Sequence, residues 1–173
     1  MKLRLKKYYA LKYLPHKLSR RDTIYEKNQL DKSRKLYTRK KYYTRKHVAS
    51  YPHKVSKHIS NARRIYAIEN ILASKELAKK TGCSIAALRA IEKKGEGAYY
   101  SSGSRPNQTA QSWGRARLAS SITGGKAAAV DFHILNKGCN HTRSKAYKMA
   151  LNATRKHSHG TRRIPKSKYL KHG

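Results

Sequence analysis

The chain has 173 residues, enough for one domain or for a modest domain with tails. Its 42 Lys and Arg outnumber its 8 Asp and Glu, a formal net charge of +34. Self-repulsion on that scale opposes compaction unless an anionic partner neutralises it, which points to nucleic acid, an anionic membrane surface or acidic protein faces. So few carboxylates leave little material for paired-acid catalysis, and no apolar run approaches the ~20 residues that span a bilayer.

The N-terminal sequence, Met1 to Lys7, is basic but lacks the apolar stretch of a signal peptide. Residues 1–66 hold 21 Lys and Arg against three acids, together with nine of the 13 tyrosines, and few aliphatic residues. They read as a long basic arm, and residues 1–60, like 154–173, are expected to make few long-range contacts within the chain. Asp22-Thr23 starts a helix within it, with Ile24, Leu30 and Tyr37 along its length, and the pattern fades near Thr38. The cations Arg34, Lys35, Arg39, Lys40, Lys41, Arg45 and Lys46, interleaved with Tyr37, Tyr42 and Tyr43, form the first candidate binding cluster. Tyrosine suits such a cluster because its ring stacks on bases or fills protein grooves while its hydroxyl stays wet.

Residues 67–153 have the composition of a compact helical domain. Lys75 to Thr81 forms a short helix closed by Gly82. Ser84 caps the next, Ile85 to Lys94, with Leu88 and Ile91 on its apolar side and Gly95 as its stop. This pair has the outline of a helix-turn-helix, and serves either as a DNA reader or as a plain packing unit. The second helix has few side chains suited to base edges. Gly97 to Ser101 looks extended. Lys94 to Thr109 reads as a polar Gly/Ser block, either a phosphate-holding loop helped by Arg105 or a rigid docking turn. It lacks the Gly-Lys-Ser/Thr ending of a nucleotide loop.

Thr109 caps a helix from Ala110 to Ile122, ended by Gly124-Gly125, and Trp113 on its small-residue stripe is expected to be largely buried against the 76–94 helix pair. Further helices follow at roughly Lys126 to Asn136 and Thr142 to Ala153. Residues 154–173 hold seven cations and no acid, among them Arg155, Lys156, Arg162 and Arg163, and read as a short basic C-terminal arm. Cys83 and Cys139 make no disulfide framework and are read as free structural thiols in a reducing compartment. Cys139 and His141 with Cys83 and His133 do not match a zinc spacing. Ser101 and Ser102 have no local base, and Asp131 and His133 point apart on a helix. The expectation is therefore no catalytic, cofactor or metal site and no small-molecule substrate.

The block Lys94 to Thr109, continued by Ser112-Trp113, Ala116 to Ser120, Gly124 to Ala127 and Val130-Asp131, resembles an uncharacterised family of small basic proteins encoded by giant DNA viruses. The likeness runs over roughly residues 13–150 and departs at Glu96, where a small or basic residue is expected. The resemblance implies a large icosahedral virus with an internal membrane, and a chain that looks like a minor capsid protein. The reading is thus a mainly α protein, a small helical domain with two basic arms. On this reading the chain is expected to bridge capsid subunits on the inner side of the shell, within the virion, and to pass through host cytoplasm during assembly. Its partners are other capsid proteins, with DNA or an anionic inner-membrane surface as further candidates. The alternative is a virion DNA-binding or DNA-condensing protein that uses the basic arms and the helix-turn-helix-like unit, with Arg89, Lys93, Lys94 and the 39–46 cluster gathered on one surface rather than spread along divergent arms.

Overall fold

The computed structural model describes residues 9–157. Among them the helices are α1 (Arg20–Tyr37), α2 (Lys57–Tyr66), α3 (Lys75–Thr81), α4 (Ile85–Ser101), α5 (Ala110–Ile122), α6 (Lys126–Val130), α7 (Phe132–Gly138) and α8 (Lys145–His157). The chain is mainly α, as its periodicity indicates, and no described helix is long and apolar enough to cross a membrane.

Local chemistry sets most of the helix starts. The side chains of Ser19, Ser56, Ser74, Ser84 and Thr109 each accept a hydrogen bond from the first turn of α1, α2, α3, α4 and α5. Each satisfies a backbone donor that a helix start otherwise leaves orphaned. Thr109 and Ser112 complete a reciprocal capping box. Gly82, left-handed at φ 71°, closes α3 as expected.

Gly95 does not stop α4. The helix runs on through Gly97 to Ser101, and the segment expected to be extended is helical. The reason lies on α5. A Cβ on Gly95 would stand 2.6 Å from the Cα of Gly114, and one on Gly114 would stand 2.7 Å from the carbonyl oxygen of Glu92. The two helices cross backbone to backbone, and these glycines are the contact. The helix expected from Lys126 to Asn136 breaks at Asp131 into α6 and α7.

The main core joins α2 to α8 around Leu77, Leu88, Ile91, Leu118, Ile122 and Leu135, each with no exposed surface. Burying a Leu or Ile of this kind contributes roughly 1.5–3 kcal/mol. A second cluster holds Tyr9, Tyr13, Leu14, Leu18, Leu30 and Val48, with Tyr51 and Trp113 packed against it. Residues 9–51 are therefore not an arm with few contacts. They wrap onto the α4–α5 crossing and bury apolar surface there. Trp113 differs from expectation as well: it is half-buried, and its ring meets the edge of Tyr13 at 6.4 Å, so it joins α5 to the N-terminal wrap.

Cys83 and Cys139 form a disulfide, which corrects the reading of free thiols. The bond ties the α3–α4 turn to the end of α7, where the two residues also make an isolated antiparallel bridge. Their separation of 56 positions hides this proximity from the sequence.

Candidate polyanion-binding face

The N-terminal wrap is held by polar side chains rather than by a sheet. After the turn that follows α1, residues 41–48 have no regular secondary structure, and Gln29 grips the backbone of Lys46, accepting from its N–H and donating to its C=O at 3.1 Å. Asn107 does the same to Val48, accepting from its N–H at 2.8 Å and donating to its C=O at 3.0 Å, and also donates to Tyr51 O at 2.7 Å. Asn107 is left-handed at φ 60°, a conformation that asparagine tolerates. Gly103 makes the close approach beside it, since a Cβ there would stand 2.9 Å from the side chains of both Leu30 and Tyr13. Lys94 to Ser101 of the polar block belong to α4, so only Ser102 to Thr109 form a turn, and that turn holds the chain's own N-terminal segment.

Arg45 sits at the centre of this dock. It is 8% exposed and so cannot serve the binding cluster to which its sequence neighbours assign it. Its guanidinium lies 3.8 Å from the centre of the Tyr99 ring. It donates to Tyr99 O at 2.9 Å and to Ser104 Oγ at 2.6 Å, and faces Glu26 Oε1 at 3.5 Å. Glu26 is almost wholly buried, and burial raises its carboxyl to about 7 against the opposing pull of Arg45 and Gln29. Burial likewise lowers the pKa of Arg45. Arg34 is also engaged: its Nε and Nη2 donate to Ser102 O at 2.9 and 2.7 Å. Both cations stitch the wrap to the end of α4.

With Arg45 and Arg34 turned inward, the other cations of the cluster face solvent. Lys35, Arg39, Lys40, Lys41 and Lys46 are exposed. The turn after α1 is closed by hydrogen bonds from Arg39 N and Lys41 N to Leu36 O and from Lys40 N to Tyr37 O. It reverses the chain, so that the Tyr42 ring comes back to within 6.2 Å of Tyr37 and 5.0 Å of Tyr100. Tyr37 itself lies over Gly97 of α4. The helical period places Arg89, Lys93, Gly97 and Tyr100 along one stripe of α4, and Arg89 and Lys93 are exposed on it. The result is a ledge of three tyrosines flanked by a cationic turn and a cationic helix stripe. Tyr43 is half-buried under Lys32, whose ammonium is 4.3 Å from its ring centre.

Lys94 does not join this face. Its ammonium pairs with Asp131 Oδ1 at 2.8 Å, and Arg117 binds the same fully buried carboxylate through Nε and Nη2 at 2.8 and 2.9 Å. Burial pushes Asp131 up, but the hydrogen bonds from Arg117 and Lys94 outweigh it and hold the carboxyl below its ordinary value. This hub joins α4 and α5 to the α6–α7 break, so Asp131 is a structural anion. Ser101 is exposed, as is His133, and the carbonyl of Ser102 is taken by Arg34. Among the described residues no three His, Cys, Asp or Glu side chains converge as a metal would require.

The remaining candidates are scattered. Arg105 is exposed near His58 and Lys126, and burial together with these two cations lowers the His58 pKa. Arg155 and Lys156 are exposed in the last turn of α8. Arg162 and Arg163 lie outside the described residues. Leu88 and Ile91 are core, and Gly124 and Gly125 make the α5–α6 turn, Gly124 at φ 70° against Met149. Sequence reading missed Glu26, Gln29, Tyr99 and Asn107. Of these, Tyr99 and Asn107 lie in the polar block that the sequence singles out, whereas nothing local marks Glu26 or Gln29.

A helical body with a wrapped, basic N-terminal segment is the class that this geometry defines. The chain matches a family of unknown function (DUF5824) over residues 4–140, and belongs to it. The match covers the wrap as well as α1 to α7, so the family unit includes both. No curated protein and no solved structure matches the chain.

Proposed function

We propose that this chain is a non-enzymatic structural protein that holds a polyanion, nucleic acid first among them, on the face made by the Arg39–Lys41 turn and α4. The observation that carries this reading is the turn itself. Three consecutive cations stand exposed on a hydrogen-bonded reversal, and among the described residues no carboxylate pairs with them. The virion setting comes from the resemblance of the Lys94–Thr109 block to proteins of giant DNA viruses. The two readings drawn from sequence parted on whether cations gather on one face or spread along arms. The packing of residues 9–51 favours the face.

Because a net +34 attracts any phosphate polymer at low salt, binding alone decides nothing. The test compares two variants of equal charge loss: Arg39→Gln/Lys40→Gln/Lys41→Gln, and Lys75→Gln/Lys79→Gln/Lys80→Gln on α3. Titrated against labelled nucleic acid at several salt concentrations, the first should lower the salt slope by about 2–3 and the second by much less. Equal effects would leave only diffuse attraction and sink the proposal.

A second reading, a minor capsid protein bridging subunits on the inner side of the shell, is favoured by Ile24 and Tyr25. These neighbours stand 49% and 42% exposed on α1, where they offer apolar surface that a phosphate polymer does not need and a protein groove does. Cross-linking from α1 within an intact particle tests it. Cross-links to a shell subunit support the bridge, and cross-links to nucleic acid alone oppose it.

A further inference from the structure

We propose that the Tyr37–Tyr42–Tyr100 ledge takes single-stranded nucleic acid, with bases stacked on Tyr42 and phosphates held by Arg39, Lys40 and Lys41. This rests on the polyanion reading and adds the ligand's class and conformation.

Three observations point this way. The first is the exposure of Tyr42. At 69% it is the most exposed of the large apolar side chains among the described residues, yet its ring is fixed between Tyr37 and Tyr100. A free ring held in place forms a stacking platform whose ordering cost is met before the ligand arrives. The second is the spacing of charge and ring. The turn puts Lys41 next to Tyr42 and brings Tyr42 back onto Tyr37, so the cationic turn adjoins the ring in the chain. A strand whose phosphates follow the turn brings its bases to the rings. The third is what the neighbouring helix lacks. The exposed positions at the cap and on the first half of α4 are Ser84, Ala86, Arg89, Ala90, Lys93 and Lys94, and Lys94 is committed to Asp131. That surface has two free cations and no amide side chain to read base edges in a duplex groove. A duplex also keeps its base faces hidden inside its own stack, where the ledge has no use for them.

The charge complements phosphate, and the rings complement exposed bases. An acidic protein would satisfy the cations but leave Tyr42 without a flat partner. An anionic membrane would do the same, since the ledge has no aliphatic side chain to insert.

The experiment uses the full chain, labelled oligothymidylate of about 15 nucleotides, and a strand of equal length with abasic sugars, near physiological salt. The wild-type chain should prefer the base-bearing strand by about tenfold. Tyr42→Ala should abolish that preference while keeping the affinity for the abasic strand, and Tyr42→Phe should retain it. Since Tyr42 is mostly exposed, the substitution leaves the core intact, which far-ultraviolet circular dichroism checks. Equal affinity of the wild type for both strands overturns the stacking proposal and leaves the polyanion reading standing. A preference that survives in Tyr42→Ala also overturns it. Failure to bind either strand overturns both.

Discussion

The guanidinium of Arg45 lies 3.8 Å from the centre of the Tyr99 ring, and the hydroxyl of the same Tyr99 accepts the Arg45 backbone N–H at 2.8 Å. One tyrosine thus holds one arginine at both its ends, across 54 positions of sequence.

That relationship separates Arg45 from its basic neighbours. Arg45→Met removes the cation that faces buried Glu26 and should cost about 3–5 kcal/mol, read as a lower midpoint in urea unfolding. Lys41→Met, four positions earlier and exposed, should leave the midpoint within about 0.5 kcal/mol and weaken nucleic-acid binding instead. A silent Arg45→Met would mean that the dock does not contribute to folding.

Glu26 gives the fold an unusual pH dependence. Burial raises its carboxyl from the ordinary 4.5 to about 7, so the folded state holds a proton that the unfolded chain has lost. Its contribution is fully present below pH 4.5 and is lost as the pH rises through about 7, by an amount on the order of 3 kcal/mol. Asp131 acts in the opposite sense. Its pKa is lowered, so its contribution holds above the ordinary 3.8 and disappears as the pH falls through its folded value. Between pH 5 and 8, wild-type stability should decline relative to Glu26→Gln. Parallel stability curves for the two proteins would remove Glu26 from the account.

The crossing of α4 and α5 tolerates no side chain. Gly114→Ala puts a methyl group 2.7 Å from the Glu92 carbonyl oxygen, a backbone atom that cannot swing aside. The cost should be about 1–3 kcal/mol by thermal unfolding. Gly97→Ala, whose Cβ meets only the Tyr37 hydroxyl at 3.9 Å, should be neutral or stabilising.

The disulfide should hold the α3–α4 turn to the end of α7 under oxidising conditions. A thiol reagent should label neither Cys83 nor Cys139 in the untreated protein, since both are bonded and buried. Reduction should lower stability by roughly 2–4 kcal/mol, and Cys83→Ser/Cys139→Ser should reproduce the reduced protein. Free thiols in the native chain, purified without reductant, would count against the bond.

What the sequence made legible was local. Ser84, Thr109 and Gly82 act where they stand because cap chemistry needs only three or four neighbouring residues. Ser56 and the apolar positions Ile59, Ala62 and Tyr66 mark α2 by the same logic, but the charge density of residues 1–66 masks them. Gly95 misleads because a glycine that ends a helix and one that lets two helices touch look alike until Gly114 is placed against it. Arg45 is harder still. Nothing in Tyr43-Thr44-Arg45-Lys46 marks one cation of the run as buried, because its partners Glu26, Tyr99 and Ser104 come from three other places in the chain. The tyrosines of the candidate face were legible as a type, whereas their meeting at one ledge depends on the turn at Lys40, whose φ is 56°.

The grip of Asn107 on Val48 and Tyr51 also orders events during synthesis. The ribosome releases residues 9–51 well before it makes Tyr99, Ser104 and Asn107, on which that segment closes. For that interval a highly cationic nascent chain has no folded surface to lie on, surrounded by ribosomal and messenger RNA. The wrap therefore forms in competition with the most abundant polyanion of the translating cell, and the buried Arg45 is a charge that must be won back from it.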